Sequence, residues 1–466
     1  MGRNAPWTLE HAPDTVKVAA LISSTPHRRT TRTPAAVFIA ALALCLLAAC
    51  TSGGGSSGDK TSADSSAAAS SSAAEKDAEL VATAKWQAAQ YDYDAAIATL
   101  SGSDSEAAKA ELQQVQAAKA QAVAWPDNTT IPHMFYHSLI VDPDRAFNDG
   151  SEGVGFSQYM VTVDEFNKQL QQMYDNGWVM VHPERIAAPG ADGKMAMTPI
   201  YLPQGKKPFV LSLDDTSYYE YMTGKGFATN LVVADDGTIK NTYTDAAGTT
   251  TEGDYDCIPI VDEFVRQHPD FSYRGDKGSI ALTGYNGILG YRSSVQSYGD
   301  SPTTKDEQAK AKVVADAIKA EGWNFASHSW GHINMTKQGI GWITSDAKLW
   351  DAEVRPLVGD TQELIYPFGA DISDVKPYSD ANPKFAFLHG TEGFSYYFGV
   401  DGASDHWVQL GAVSLRQARI NVDGLSLQRA LDGKKSGLTQ FFDPKSTIDP
   451  KRPLPVPSSG GPKAGG

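Results

Sequence analysis

From residue 131 onward, short apolar runs alternate with amphipathic helical stretches, and this alternation limits the fold more than any other property of the chain. The runs fall at 131–136, 178–182, 209–213, 279–283, 323–327, 363–366 and 385–388. A strand that returns through a helix to its neighbour pairs parallel to it, so the pattern predicts an α/β architecture with helices covering a parallel sheet. Seven such units, with no glycine-rich dinucleotide fingerprint after the first, predict a barrel rather than an open doubly wound sheet. Thr162 with Glu165 and Thr304 with Glu307 have the spacing of capping boxes, and Gly177 and Gly322 fall where helices are expected to stop.

The barrel does not use the whole chain of 466 residues. Residues 75–125 are rich in Ala, Gln, Lys and Glu, with Leu80, Ala84, Ala88 and Tyr91 and then Leu112, Val115 and Ala122 at helical spacing. Ser101-Gly102-Ser103 interrupts them, which predicts a helical hairpin packed on the following domain as a spacer. Before it, residues 50–74 are mostly Ser, Gly and Ala, a composition expected to form a flexible linker.

Arg28, Arg29 and Arg32 precede an apolar stretch at 35–49 that is shorter than the ~20 residues a spanning helix needs. Residues 1–49 therefore read as a signal peptide. The stretch ends Leu47-Ala48-Ala49-Cys50, which resembles the lipobox of bacterial lipoproteins. On that resemblance Cys50 carries the lipid, and the chain is expected on the extracellular face of the cell membrane, touching it through the anchor alone. Cys45, Cys50 and Cys257 match neither a disulfide framework nor a zinc ribbon, and Cys257 is expected to be a small buried hydrophobe. The barrel domain is expected at 126–430, followed at 431–466 by a closing segment and disordered tail. A net charge of -15, from 55 acidic and 40 basic residues, offers no basic field for phosphates, so nucleic acid is not an expected partner. The protein is expected to act as a monomer.

Three short motifs carry chemistry. The run Phe209-Val-Leu-Ser-Leu ends in Asp214 and Asp215, and two adjacent carboxylates call for a cation or a shared proton. The run 323–327 leads into His328-Ser-Trp-Gly-His332, which brings two imidazoles together if the chain makes one turn there. One carboxylate with two imidazoles is a catalytic-metal donor set that leaves positions open for water and substrate. The third, Ile365-Tyr-Pro-Phe-Gly369, closes a run with a fixed turn.

Together and in this order, the motifs resemble those of the NodB-like polysaccharide deacetylases: paired aspartates, then His-Ser/Thr-x-x-His, then a Pro-Tyr-Gly-like turn. The resemblance covers about residues 131–422. It implies a distorted (β/α)7 barrel in which Asp215, His328 and His332 hold a divalent metal ion, with zinc first and cobalt, nickel or manganese as alternatives. It further implies that Asp214 is the general base and that the backbone amide of Phe368 stabilises the oxyanion.

The chain departs from the family pattern in two places. No histidine follows His406 to supply the usual late general acid, and Ile365 stands where the family has an arginine beside the base. His137, closing the first run in Phe135-Tyr-His-Ser138, is the candidate acid, in the manner of relatives with permuted motifs that act on poly-N-acetylglucosamine. Arg416 or Arg419 could supply the missing cation. Trp330, Tyr218 and Tyr219 are candidate sugar-stacking residues, with Tyr285 and Tyr291 in a Gly-rich aromatic loop behind them. The activity implied is removal of N-acetyl groups from peptidoglycan or poly-N-acetylglucosamine, with a carbohydrate O-acetyl esterase or a catalytically silent glycan binder as alternatives.

Overall fold

Seven parallel strands close into a ring: β1 (His133–Tyr136), β2 (Lys207–Asp214), β3 (Ser279–Leu282), β4 (Asn324–Ser327), β5 (Glu363–Ile365), β6 (Tyr396–Val400) and β7 (Leu415–Asn421). Each pairs with the next in space, and β3 pairs with both β4 and β2, which closes the barrel. The computed structural model describes residues 61–401 and 404–457. Cys50, the apolar stretch before it and residues 458–466 lie outside the described residues. The chain divides into two compact units, Met1–Ala73 and Ala74–Gly466, and the barrel belongs to the second.

Covering helices α4 (Val163–Asp175), α5 (Cys257–Gln267), α6 (Pro302–Ala320), α7 (Ile340–Glu353), α8 (Pro383–Gly390) and α9 (Gly424–Leu431) follow all strands but β6. There the chain returns through Val408–Leu410, antiparallel to β7, so the (β/α)7 barrel is distorted at that point. Thr162 and Glu165 form the expected capping box, and Gly177 and Gly322 take positive φ after α4 and α6. Thr304 does not cap α6. Ser301 does, with Pro302 at the first helical position.

Two of the expected strands are not strands of the ring. Residues 385–388 lie in α8, where Asn382 accepts the Lys384 amide and Pro383 presets helical φ, so the apolar run continues a helix. Trp178–Met180 is a strand, but it flanks the start of β2 outside the ring. The barrel takes β6 and β7 in their place.

Side chains alternate around the ring. Phe209, Leu211, Leu213, Ile280, Leu282 and Phe325 face outward into the core shared with α4, α5 and α6. Val210, Ala281, Ala326, Ile365 and Phe398 face inward and form one cluster with Ala84, Tyr91, Leu100 and Val115 of the N-terminal helices. Those helices are three, not two: α1 (Thr61–Ala89), α2 (Tyr93–Leu100) and α3 (Glu106–Gln121). Tyr91 breaks the first at φ 64 and Asp92 caps the second, while α2 stops before Ser101 as expected. Helix α1 already includes residues 61–74, so the second half of the expected linker is helical.

Past β7 the chain stays in the core. Leu438, Phe441 and Phe442 are buried with the outer cluster, and Arg452 forms a buried ion pair with Glu165 of α4 at 2.5 Å. Cys257 is a free, buried thiol, as expected. Among the described residues, no helix is long and apolar enough to cross a membrane.

Candidate metal centre

Asp214 is the last residue of β2 and Asp215 the first beyond it, so both carboxylates emerge at the C-terminal rim of the barrel. Asp215 leaves the strand at φ 60, a left-handed turn that sends the chain sharply aside. Ser329, His332 and Phe368 also have positive φ, at 57, 50 and 61. Such backbone costs of order 1 kcal/mol or more per residue and persists where the surroundings fix it, so its concentration in all three motifs marks a built site.

The turn after β4 sends both imidazoles towards Asp215. One ligand atom from each of Asp215, His328 and His332 lies within 4.8 Å of the other two. His332 Nε2 is 3.8 Å from Asp215 Oδ2, and the two imidazole rings are 4.9 Å apart. His328 Nδ1 donates to the carbonyl of Ile365 at 2.8 Å, which orients the ring and leaves Nε2 as the ligand atom. Burial pulls His332 down to about 4 against the attraction of Asp215, so its ring is neutral near pH 7, as a ligand must be. Burial acts to raise Asp215, but His332, His328 and His137 together with the Tyr219 hydroxyl hold it below the usual carboxylate range. An ionised carboxylate, a neutral imidazole and a second imidazole locked from behind by a carbonyl fit a divalent cation of the zinc type.

Behind the trio stands Asp214, 4% exposed. Arg419, on β7 one strand beyond β1, forms a two-pronged pair with it, Nη1 to Oδ1 at 2.6 Å and Nη2 to Oδ2 at 2.9 Å. The same guanidinium donates to Ser212 Oγ, which lies 2.9 Å from His133 Nε2. Burial would raise the Asp214 carboxyl, but Arg419 and then His328 keep it well below its ordinary value. Of the two arginines that the sequence offered, Arg419 is therefore the partner of Asp214. Arg416 instead binds Asp371 at 2.9 Å and stacks on Tyr378.

His137 follows β1 into the same mouth, within electrostatic reach of Asp214, Asp215 and Asp423. Its Nδ1 is buried without a protein partner. Asp423, which the sequence reading did not single out, accepts from Asn421 Nδ2 and the Ser426 amide, and burial raises it to about 6. Phe368 lies beside the ligands, its ring edge-on to His332 at 4.5 Å.

The aromatic residues expected to stack on sugar are placed differently from one another. Tyr218 is buried in the outer core and accepts from Asn241, so it has no free face. Tyr219 is also buried and donates to Asp215 Oδ1 at 2.5 Å, which orients that carboxylate rather than offering a platform. Trp330 is half-buried, with its indole N–H on Glu353. Tyr291 is buried against Leu231. Tyr221, stacked on Tyr219 at 5.8 Å, and Phe368 are the large aromatic side chains left exposed around the metal motifs.

No family model matches the chain, and no curated protein does. Among solved structures, the chain is similar to "Streptococcus pyogenes deacetylase PplD in complex with acetate", at 16% identity over 67% of this chain and 99% of that one, with a TM-score of 0.33.

Proposed function

We propose that the chain is a metal-dependent hydrolase that removes N-acetyl groups from an extracellular amino-sugar polymer, either peptidoglycan or poly-N-acetylglucosamine. The convergence of Asp215, His328 and His332 beside an Arg-paired Asp214 carries this reading. A divalent ion there, zinc first, would polarise an acetyl carbonyl and bring the pKa of a water toward ~7. Asp214, kept ionised and pinned by Arg419, is the acceptor for the water's proton. His137, at the same rim, is the donor to the departing amine. The Phe368 amide is assigned to the oxyanion, where single donors typically contribute ~3 to 4 kcal/mol. The exposed rings of Tyr221 and Phe368 suit the apolar faces of a sugar. Lipidation at Cys50 would hold the enzyme, as a monomer, at the extracellular face of the membrane.

The test is acetate release from peptidoglycan and from chitooligosaccharides by the purified protein, before and after chelation and with zinc restored. We expect release that chelator abolishes, zinc restores and Asp215→Ala lowers by at least about a hundredfold. Release unaffected by both the chelator and that substitution would overturn the assignment.

A further inference from the structure

Helix α7 buries one stripe, Ile343, Asp346, Trp350 and Glu353, spaced so that all four lie on one face. An ordinary core stripe has no use for two carboxylates, since each buried charge needs its own partners. Here the partners lie in or against one segment, the turn that carries the metal ligands. Asp346 accepts the backbone amides of Trp330 and Gly331, at 2.7 and 2.8 Å. Glu353 accepts the Trp330 indole N–H at 2.8 Å, and it also takes the Ser294 hydroxyl and the Gln296 amide. Trp350 donates to the carbonyl of Leu282, which also receives the His328 amide.

The opposite side of the turn is held as well. The Trp330 carbonyl accepts the amides of Gly284 and Tyr285, and a Cβ at Gly284 would collide with the indole. Ser329 Oγ accepts the Ile333 amide. Both His328 and His332 are thus attached to a segment in which each of the three central residues is held by hydrogen bonds, with Ser329 and His332 at positive φ.

We propose that Asp346 and Glu353 are positioning residues for the metal site, a pair of carboxylates that clamp the His328–His332 turn so that both imidazoles face Asp215. Trp330 is the handle by which Glu353 grips the turn, rather than a platform for sugar. The inference rests on the metal reading above for its consequence, but the geometry of the turn does not depend on any ion being bound. Two charge-assisted bonds from one carboxylate to adjacent amides are stronger than neutral ones and fix the peptide plane between the ligands.

The experiment uses the full chain stripped with chelator, with Asp346→Asn, Asp346→Ala and Glu353→Gln variants and Lys348→Ala as a control on the exposed face of the same helix. Zinc affinity is measured by calorimetry, the imidazole resonances of His328 and His332 in the metal-free proteins by NMR, and melting temperature in parallel. Asn keeps one acceptor oxygen and Ala none. We therefore expect zinc affinity to fall in the order native, Asn, Ala, by about 10- to 100-fold at the end of the series, as for other groups that orient metal ligands. The resonances of His328 and His332 should move while those of His133 stay. Native zinc affinity and unmoved ligand resonances in the Asp346 variants, with only the melting temperature lowered, would overturn the clamp. If the native protein itself binds no zinc, the metal reading fails, and the resonances still decide whether the carboxylates position the turn.

Discussion

Arg419 is fully buried, and both its prongs are spent on Asp214, which makes it the residue whose loss the site should tolerate least. Replacing it with Met removes the charge that opposes the desolvation of Asp214 and leaves a carboxylate buried alone. We expect Arg419→Met to lower kcat by at least about a hundredfold and stability by ~3 to 5 kcal/mol, the usual cost of breaking a buried pair from one side. Arg419→Lys should recover part of the stability but little of the rate, because an ammonium cannot hold both carboxylate oxygens. Native kcat in the Met variant would refute the role. Asp214, Asp215, His328 and His332 were legible as a group because each stands at the end of an apolar run, where a barrel puts its chemistry. Arg419 was only half legible: its chemistry was anticipated, but the choice against Arg416 depends on which side of β7 each faces. Asp346, Glu353 and Asp423 were not legible, since a carboxylate on a helix face or at a helix start reads as solvated or as a cap until its partners are known.

Among the elements, five of the seven ring strands were readable as apolar runs, and the two that were missed have a common cause. Strand β7 carries Arg416, Gln417 and Arg419 at buried positions, and β6 carries Tyr396 and Tyr397 with Gly399, so each lacks the run of aliphatic residues by which a core strand is read. The polar inward residues of β7 are there because the upper barrel is a hydrogen-bonded network rather than an oily core. The error at 385–388 ran the other way, since an apolar run of that length does not distinguish strand from helix, and the Asn-Pro before it should have decided. The lower rim of the barrel holds a different polar group. Glu363 opens β5, 1% exposed, with Oε1 on Asn324 Nδ2 and Oε2 without a partner. Burial, then the like charge of Glu184, raises it from 4.5 to about 8. The folded chain therefore keeps a proton there that the unfolded chain gives up, so this contribution to stability is complete below pH 4.5 and is lost as pH rises through about 8. Glu363→Gln, a neutral mimic of the protonated side chain, should match the native protein at pH 4.5 and exceed it at pH 8 by on the order of 4 kcal/mol. Thermal melts across that range check it, and parallel curves for the two proteins would show that Glu363 is ionised in the fold.

On the scale of the whole second unit, the two ends of the barrel have separate tasks. The C-terminal rim holds the candidate metal site, and the inward apolar residues deeper in the barrel are continuous with α1, α2 and α3. Apolar spacing alone was enough to place helices before the barrel. What composition concealed was the closing arm: after β7 the chain turns polar and proline-rich, yet Leu438, Phe441, Phe442 and Arg452 are all buried. A few large side chains fasten such a segment, and averaged composition dilutes them. Arg452 is the strongest fastening, because its guanidinium meets Glu165 and the carbonyls of Ser157 and Met160, joining the end of the chain to α4 and the segment before it. Arg452→Met should therefore cost ~3 to 5 kcal/mol by stranding the buried Glu165 carboxylate, while leaving zinc affinity unchanged. In the Glu165→Gln/Arg452→Met pair the stranded charge is gone, so most of that loss should return, as expected where the penalty belongs to an unpaired ion rather than to missing contacts. Denaturant melts of the single and double variants decide it: equal losses in the two would mean that the arm is held by packing alone and that the ion pair contributes nothing.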